Sequence, residues 1–152
     1  MKFRAMDAAE SPASDLIEAM IDEMTPLYGR IDRPGMPVAG PEQFAPPRGV
    51  FLVGFDGDGR ALCGGGLKPL GPDVAEIKRM YVVPSERGQG VARELLAALE
   101  DAARERGYAR VRLDTGPKQP AAERLYRSAG YREIENFNAN PEASFWGEKR
   151  LA

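Results

Sequence analysis

Apolar residues recur along the chain with two different periods, and the alternation of those periods predicts the elements. Leu16, Ile17, Met20, Ile21, Met24 and Leu27 are spaced three and four apart, with Asp15, Glu18, Asp22 and Glu23 between them. That spacing predicts an amphipathic helix from Ser11-Pro12, read as N-cap and first helical residue, to Tyr28-Gly29. A second helix is predicted over Gly90–Arg106, where Leu95, Leu96, Leu99, Ala102 and Ala103 share a face and Gly107 ends the run. A third runs from Pro120 to Ala129, closed by Gly130. Short apolar or alternating segments predict strands at Phe3–Met6, Val50–Phe55, Arg60–Leu67, Ala75–Val83, Arg110–Asp114, Tyr131–Asn136 and Ser144–Arg150.

The connections are equally informative. Asp56-Gly57-Asp58-Gly59 is a hairpin signal, and Gly64-Gly65-Gly66 marks close packing or a bulge. Ile31–Gly49 holds five prolines and three glycines without periodicity, which predicts a loop with a short helical turn near Pro41–Phe44. In the central strand, alternation puts Ile77, Arg79, Tyr81 and Val83 on one face and Glu76, Lys78, Met80 and Val82 on the other. The adjacent bases Lys78-Arg79 break that pattern, which is compatible with a β-bulge. The expectation is one α+β domain over residues 1–152, a mixed twisted sheet of six or seven strands with helices on both faces.

Composition narrows the chemistry. With 21 basic and 23 acidic side chains the net charge is −2, so bulk electrostatics points to neither nucleic acid nor an anionic membrane as partner. No long apolar run and no charged-then-apolar leader occurs, and one cysteine, Cys63, cannot form an internal disulfide; a cytoplasmic location is expected. Histidine is absent altogether. That removes Ser-His and Cys-His nucleophile pairs and most zinc sites, leaving acid–base work to Glu, Asp, Tyr, Lys or Cys.

Met80-Tyr-Val-Val-Pro-Ser-Glu-Arg-Gly-Gln-Gly-Val-Ala92 carries the strongest signal. A strand leads through a turn into a glycine corner and then into a helix, whose start presents unpaired N–H groups and a positive dipole end. A phosphate-bearing ligand fits such a corner. It is not a nucleotide P-loop, because no Gly-Lys-Ser/Thr occurs, nor a Rossmann fingerprint, because Gly88-Gln89-Gly90-Val91-Ala92-Arg93 ends in Arg.

What remains, Arg87-x-x-Gly90-x-Ala92 after a strand, resembles the pyrophosphate loop of the GCN5-related N-acetyltransferases. Downstream, Ala122-Glu-Arg-Leu-Tyr126-Arg-Ser-Ala-Gly130-Tyr131 resembles that family's second signature, a Leu-Tyr helix ending in Gly-Tyr/Phe. The resemblance extends in order from about Val50 to Leu151 and, more loosely, over the first helix. It implies the GNAT fold and transfer of acetyl from acetyl-CoA to a primary amine by direct attack, with no metal and no covalent enzyme intermediate.

The resemblance also assigns roles. Glu76 matches the position of a catalytic glutamate, and Tyr126 that of a proton donor to the departing thiolate. Main-chain groups of Met80, Tyr81 and Val82 would hold the pantetheine arm and the oxyanion, and Arg87, Gly88, Gln89, Gly90, Val91 and Ala92 the diphosphate. Lys118, Arg124 and Arg127 are candidates for the nucleotide 3′-phosphate. Where the family commonly has Asn, this chain has Lys118-Gln119-Pro120, so Gln119 would supply that cofactor contact. The need for a base is chemical: a lysine-type amine is neutral in about one molecule in 2,500 at pH 7, an α-amine in about one in six. Without the resemblance, Glu76 reads as a strand carboxylate paired with Lys78 or Arg79, Tyr126 as a core aromatic, and Cys63 as a small buried hydrophobe. A silent acyl-CoA-binding module and an acyltransferase with a non-amine acceptor are the alternatives. The acceptor is a small-molecule or peptide amine, shaped by Ile31–Gly49 and by Asn136–Pro141, and a homodimer is compatible with the sequence.

Overall fold

A computed structural model describes residues 1–37 and 39–151; Val38, inside the expected Ile31–Gly49 loop, and Ala152 lie outside the described residues. The chain order is β1 (Lys2–Ala5), α1 (Ala13–Tyr28), a 3-10 turn (Pro41–Phe44), β2 (Val50–Phe55), β3 (Ala61–Pro69), β4 (Val74–Val82), α2 (Val91–Glu105), β5 (Arg110–Thr115), α3 (Pro120–Ser128), β6 (Arg132–Glu133) and β7 (Phe145–Arg150). The strands form one seven-stranded sheet, ordered β1-β2-β3-β4-β5-β7-β6. Every pairing is antiparallel except β4 with β5. No described helix is long and apolar enough to cross a membrane.

Strand alternation distributes the core over two faces. Val50 and Leu52 pack with Leu95, Leu96 and Leu99 of α2, whereas Phe51 and Val53 of the same strand pack with Leu16 of α1 and with Phe44. Helices therefore cover both faces, α1 on one and α2 on the other. The three consecutive glycines of β3 let these layers approach: a Cβ on Gly66 would enter the Phe44 ring, one on Gly64 would stand 3.0 Å from Phe51, and one on Gly65 would stand 2.9 Å from Leu99.

The expected bulge lies in β4. Gly64 faces Tyr81 and Gly66 faces Lys78, so Gly65 alone opposes both Arg79 and Met80. Arg79 takes up the extra residue with φ +62°. This corrects the simple alternation read from the sequence. Ile77 shares the α2 face with Met80 and Val82, while Tyr81 and Val83 turn to the α1 face, because the bulge inverts the pleat between them.

Two boundaries also move. α1 starts at Ala13 with Pro12 as its cap residue, and Ser11 bonds the Asp15 carboxylate instead of an orphan helix N–H. The sixth strand is two residues long rather than Tyr131–Asn136. Ile134 N–H still reaches Trp146 O at 2.8 Å, but Asn136 then accepts from the N–H groups of Asn138 and Ala139, which turns the chain away.

Candidate active site

The parallel pair at the centre of the sheet is short. β4 and β5 pair only where Val74, Ala75 and Glu76 face Arg110, Val111 and Arg112. Beyond that point β5 continues to Thr115 beside β7, and β4 continues to Val82 beside β3. The two strands part, and among the described residues the main chain of Met80–Val82 has no strand partner on its β5 side. A cleft occupies the gap, with an empty volume, open mouth included, of about 810 Å³. Met80, Asp114, Gln119 and Tyr126 line it, together with Met24 and Tyr28 of α1.

At the end of β4 the chain passes Pro84–Glu86 and reaches the glycine corner. Gly88 and Gly90 have φ +77° and +83°, the left-handed region that favours glycine, and a Cβ at either would meet nothing within 4 Å. The constraint there is the backbone conformation and the open approach. The N–H groups of Gly88 through Arg93 make no hydrogen bond of normal geometry to any described residue; the first helical bond is Glu94 N–H to Gly90 O at 3.1 Å. No side chain caps α2. Six consecutive donors at a helix start form an anion cradle.

Tyr126, nearly buried, lies on α3 with its hydroxyl directed at Met80 Sδ, 3.8 Å away. Burial, and secondarily the charge of Asp114, push its pKa above that of an ordinary phenol, so it keeps its proton. Tyr126 and Met80, both in the cleft lining, are thus in contact.

The sequence model of the acetyltransferase (GNAT) family matches residues 16–131. The chain belongs to the GNAT family. An N-acetyltransferase of Schizosaccharomyces pombe is 35% identical over 100 residues, covering 65% of this chain and 61% of that protein. The IAA acetyltransferase of Azospirillum brasilense is 31% identical over 131 residues, 86% of each chain. Among solved structures, a Klebsiella pneumoniae protein described as an acyl-CoA N-acyltransferase superposes with TM-score 0.80 at 27% identity, covering 99% of this chain and 97% of the other. Structures of this fold include complexes with coenzyme A and with acetyl-CoA. The chain is thus a GNAT-family N-acetyltransferase.

The remaining candidates of the GNAT site lie as follows. Glu76 is 1% exposed and is absent from the cleft lining. Its carboxylate faces Lys78 Nζ at 3.4 Å and Lys68 Nζ at 3.7 Å, and accepts from Asn138 Nδ2 at 2.9 Å. The partner bases are thus Lys68 and Lys78, and Arg79 takes no part. Asn138 Nδ2 also donates to Asp114 Oδ2 at 2.6 Å, Asn140 Nδ2 reaches the same oxygen at 3.2 Å, and Trp146 Nε1 fixes Asn138 Oδ1 at 3.0 Å. Two carboxylates are joined through one amide, and Asp114 is the member that reaches the cleft.

Arg87 folds back from the corner. Its fork grips Glu23 of α1 at 2.8 and 3.0 Å, its Nε donates to Val82 O at 2.9 Å, and it stacks over Tyr81. Lys118 Nζ donates to Leu27 O, and Arg127 is held by Glu123 and Glu133. Arg124 alone of the suggested 3′-phosphate bases has no such partner among the described residues. Gln119 is the cap residue of α3 and lines the cleft with its side chain unbonded.

Sequence reasoning missed Asp114, Asn138 and Asn140 as parts of the site. Asp114 is a polar residue closing an apolar strand, and Asn138-x-Asn140 is a pair of amides two apart, so a signal was present. Nothing local says that these segments converge on Glu76, because they meet only through the β5–β7 pairing.

Proposed function

We propose that this GNAT enzyme acetylates a primary amine by direct attack on the thioester of acetyl-CoA, with Tyr126 protonating the departing thiolate. The diphosphate would rest on the Gly88–Arg93 N–H groups, and the pantetheine arm along the free edge of Met80, Tyr81 and Val82. The oxyanion would take a main-chain donor of that same edge. The observation that carries the reading is the parted β4–β5 pair with a protonated, nearly buried Tyr126 facing Met80 across it.

The ammonium form of the amine cannot attack, so its proton must leave first. The receiving group in this reading is the Glu76–Asp114 pair. Asp114 lines the cleft and both its bonded amides donate to Oδ2, leaving Oδ1 for the substrate or a bridging water. Glu76, tied to two lysines, positions Asn138 and would take the proton only through water, because the bridging amide donates to both carboxylates and accepts from neither.

The test is steady-state thiol release with an amine panel, run beside acetyl-CoA binding. Tyr126→Phe should lower kcat by about 10²-fold or more while leaving binding nearly intact; a variant as active as the parent would remove the proton-donor role. Asp114→Asn should lower kcat/KM most steeply at low pH, where the ammonium dominates. A silent acyl-CoA-binding module would release no thiol with any amine and be indifferent to both changes.

A further inference from the structure

Arg79 is the one residue of β4 that is both strained and charged. Its φ of +62° is unusual for any residue with a Cβ and is imposed by the bulge. Strain of this kind persists where the surrounding structure holds it, and it gathers at ligand sites. Arg79 lines the cleft together with Asp114, whose charge reaches its guanidinium. Its guanidinium makes no hydrogen bond and no ion pair with any described residue. Asp32, Asp114 and Glu76 are the acids whose charge reaches it, yet none bonds it, and burial lowers its pKa despite them. A guanidinium withdrawn from water without a bonded counter-ion is costly, and bidentate pairing with an oxyanion relieves that cost.

We propose that Arg79 binds a carboxylate carried by the acceptor itself, so that the preferred acceptor is an amino-acid-like zwitterion whose ammonium is directed to Asp114. This rests on the acceptor-site reading given under Proposed function. A cation and an anion that line one cleft without bonding each other suit a ligand with complementary charges at both ends. A plain amine would satisfy Asp114 and leave Arg79 unpaired. A doubly charged phosphonate would meet Arg79 but also the charges of Asp32 and Asp114 that reach it, which favours the singly charged carboxylate.

The experiment uses matched acceptors, each amino acid beside the amine left by removing its carboxylate, and one aminophosphonate. Binding is read first, by calorimetry on the protein saturated with coenzyme A, where no acetyl can move; turnover with acetyl-CoA is read second. The expected result is at least tenfold tighter binding, and lower KM, for carboxylated acceptors. Arg79→Asn, which tolerates the left-handed backbone, should abolish that preference by weakening the carboxylated member of each pair, with the plain amine binding no more weakly than before because a cation beside Asp114 is lost; Arg79→Lys should restore part of it. Equal affinity within each pair, stronger binding of the aminophosphonate, or a loss in Arg79→Asn that is the same for both members would overturn the assignment. Carboxylated ligands that bind through Arg79 but release no thiol would leave Arg79 assigned and defeat the transfer reading instead.

Discussion

Cys63 shows what burial does to a single group. It has no exposed surface, and desolvation pushes its pKa from 9.0 up to about 11. Tyr126 and Tyr131 are raised from 10.0 for the same first reason, Tyr131 further by the Glu100 carboxylate that accepts its hydroxyl at 2.8 Å. In all three the folded state keeps a proton that the unfolded chain releases. The contribution is therefore fully present below about pH 9 and declines as pH rises toward the folded value. Urea unfolding at pH 7, 9 and 10.5 should show stability falling with alkalinity, the thiol alone accounting for up to about 2–3 kcal/mol. Cys63→Ala should start less stable but have a shallower slope above pH 9. Native Cys63 should also resist thiol reagents that label it at once in urea; rapid native labelling would contradict the burial.

At the scale of elements, glycine serves two different ends, and substitution separates them. Gly66 has ordinary backbone angles but no room, since its Cβ would enter the Phe44 ring. Gly66→Ala should cost about 1–3 kcal/mol of overpacking and lower Tm by several degrees, with coenzyme A affinity kept. Gly90 has room but a left-handed backbone. Gly90→Ala should cost only about 1 kcal/mol of stability, yet weaken acetyl-CoA binding by turning the cradle's N–H groups. Equal effects on stability and binding in both variants would refute the distinction. These elements also show how legible the sequence was. The helices, the Asp56–Gly59 turn and the bulge site could be read because each depends on local chemistry. For example, Asp56 Oδ1 accepts from Asp58 and Arg60 N–H at 2.8 and 2.9 Å. The inverted pleat after Arg79 could not, since it depends on the register against β3; nor could the back-folded Arg87 and the Glu76–Asn138–Asp114 bridge, which depend on partners at least twenty residues away.

For the molecule as a whole, the cofactor would complete a sheet that the chain leaves open. β4 and β5 are joined by three residue pairs and then separate, so among the described residues their far ends are tied through β3, β7, the helices and the Asn138 bridge from Glu76 to Asp114. A ligand along Met80–Val82 and the Gly88–Arg93 corner bridges those parts in the folded state alone. At a hundred times its dissociation constant such a ligand adds about 2.7 kcal/mol, a rise in Tm of roughly 5–10 °C for a chain of this size. The distribution of bases says which phosphate matters. The diphosphate would face six main-chain donors that are unpaired among the described residues, whereas Lys118 and Arg127 are already engaged and, of the three suggested bases, Arg124 alone has no partner among the described residues to keep it from the 3′-phosphate. Coenzyme A and its dephospho form should therefore bind within about tenfold of each other, one exposed cation giving about 1 kcal/mol or less, while pantetheine, lacking the diphosphate, should give no measurable shift. A hundredfold loss on removing the 3′-phosphate would place the anchoring charge elsewhere than the glycine corner. So would a full shift with pantetheine.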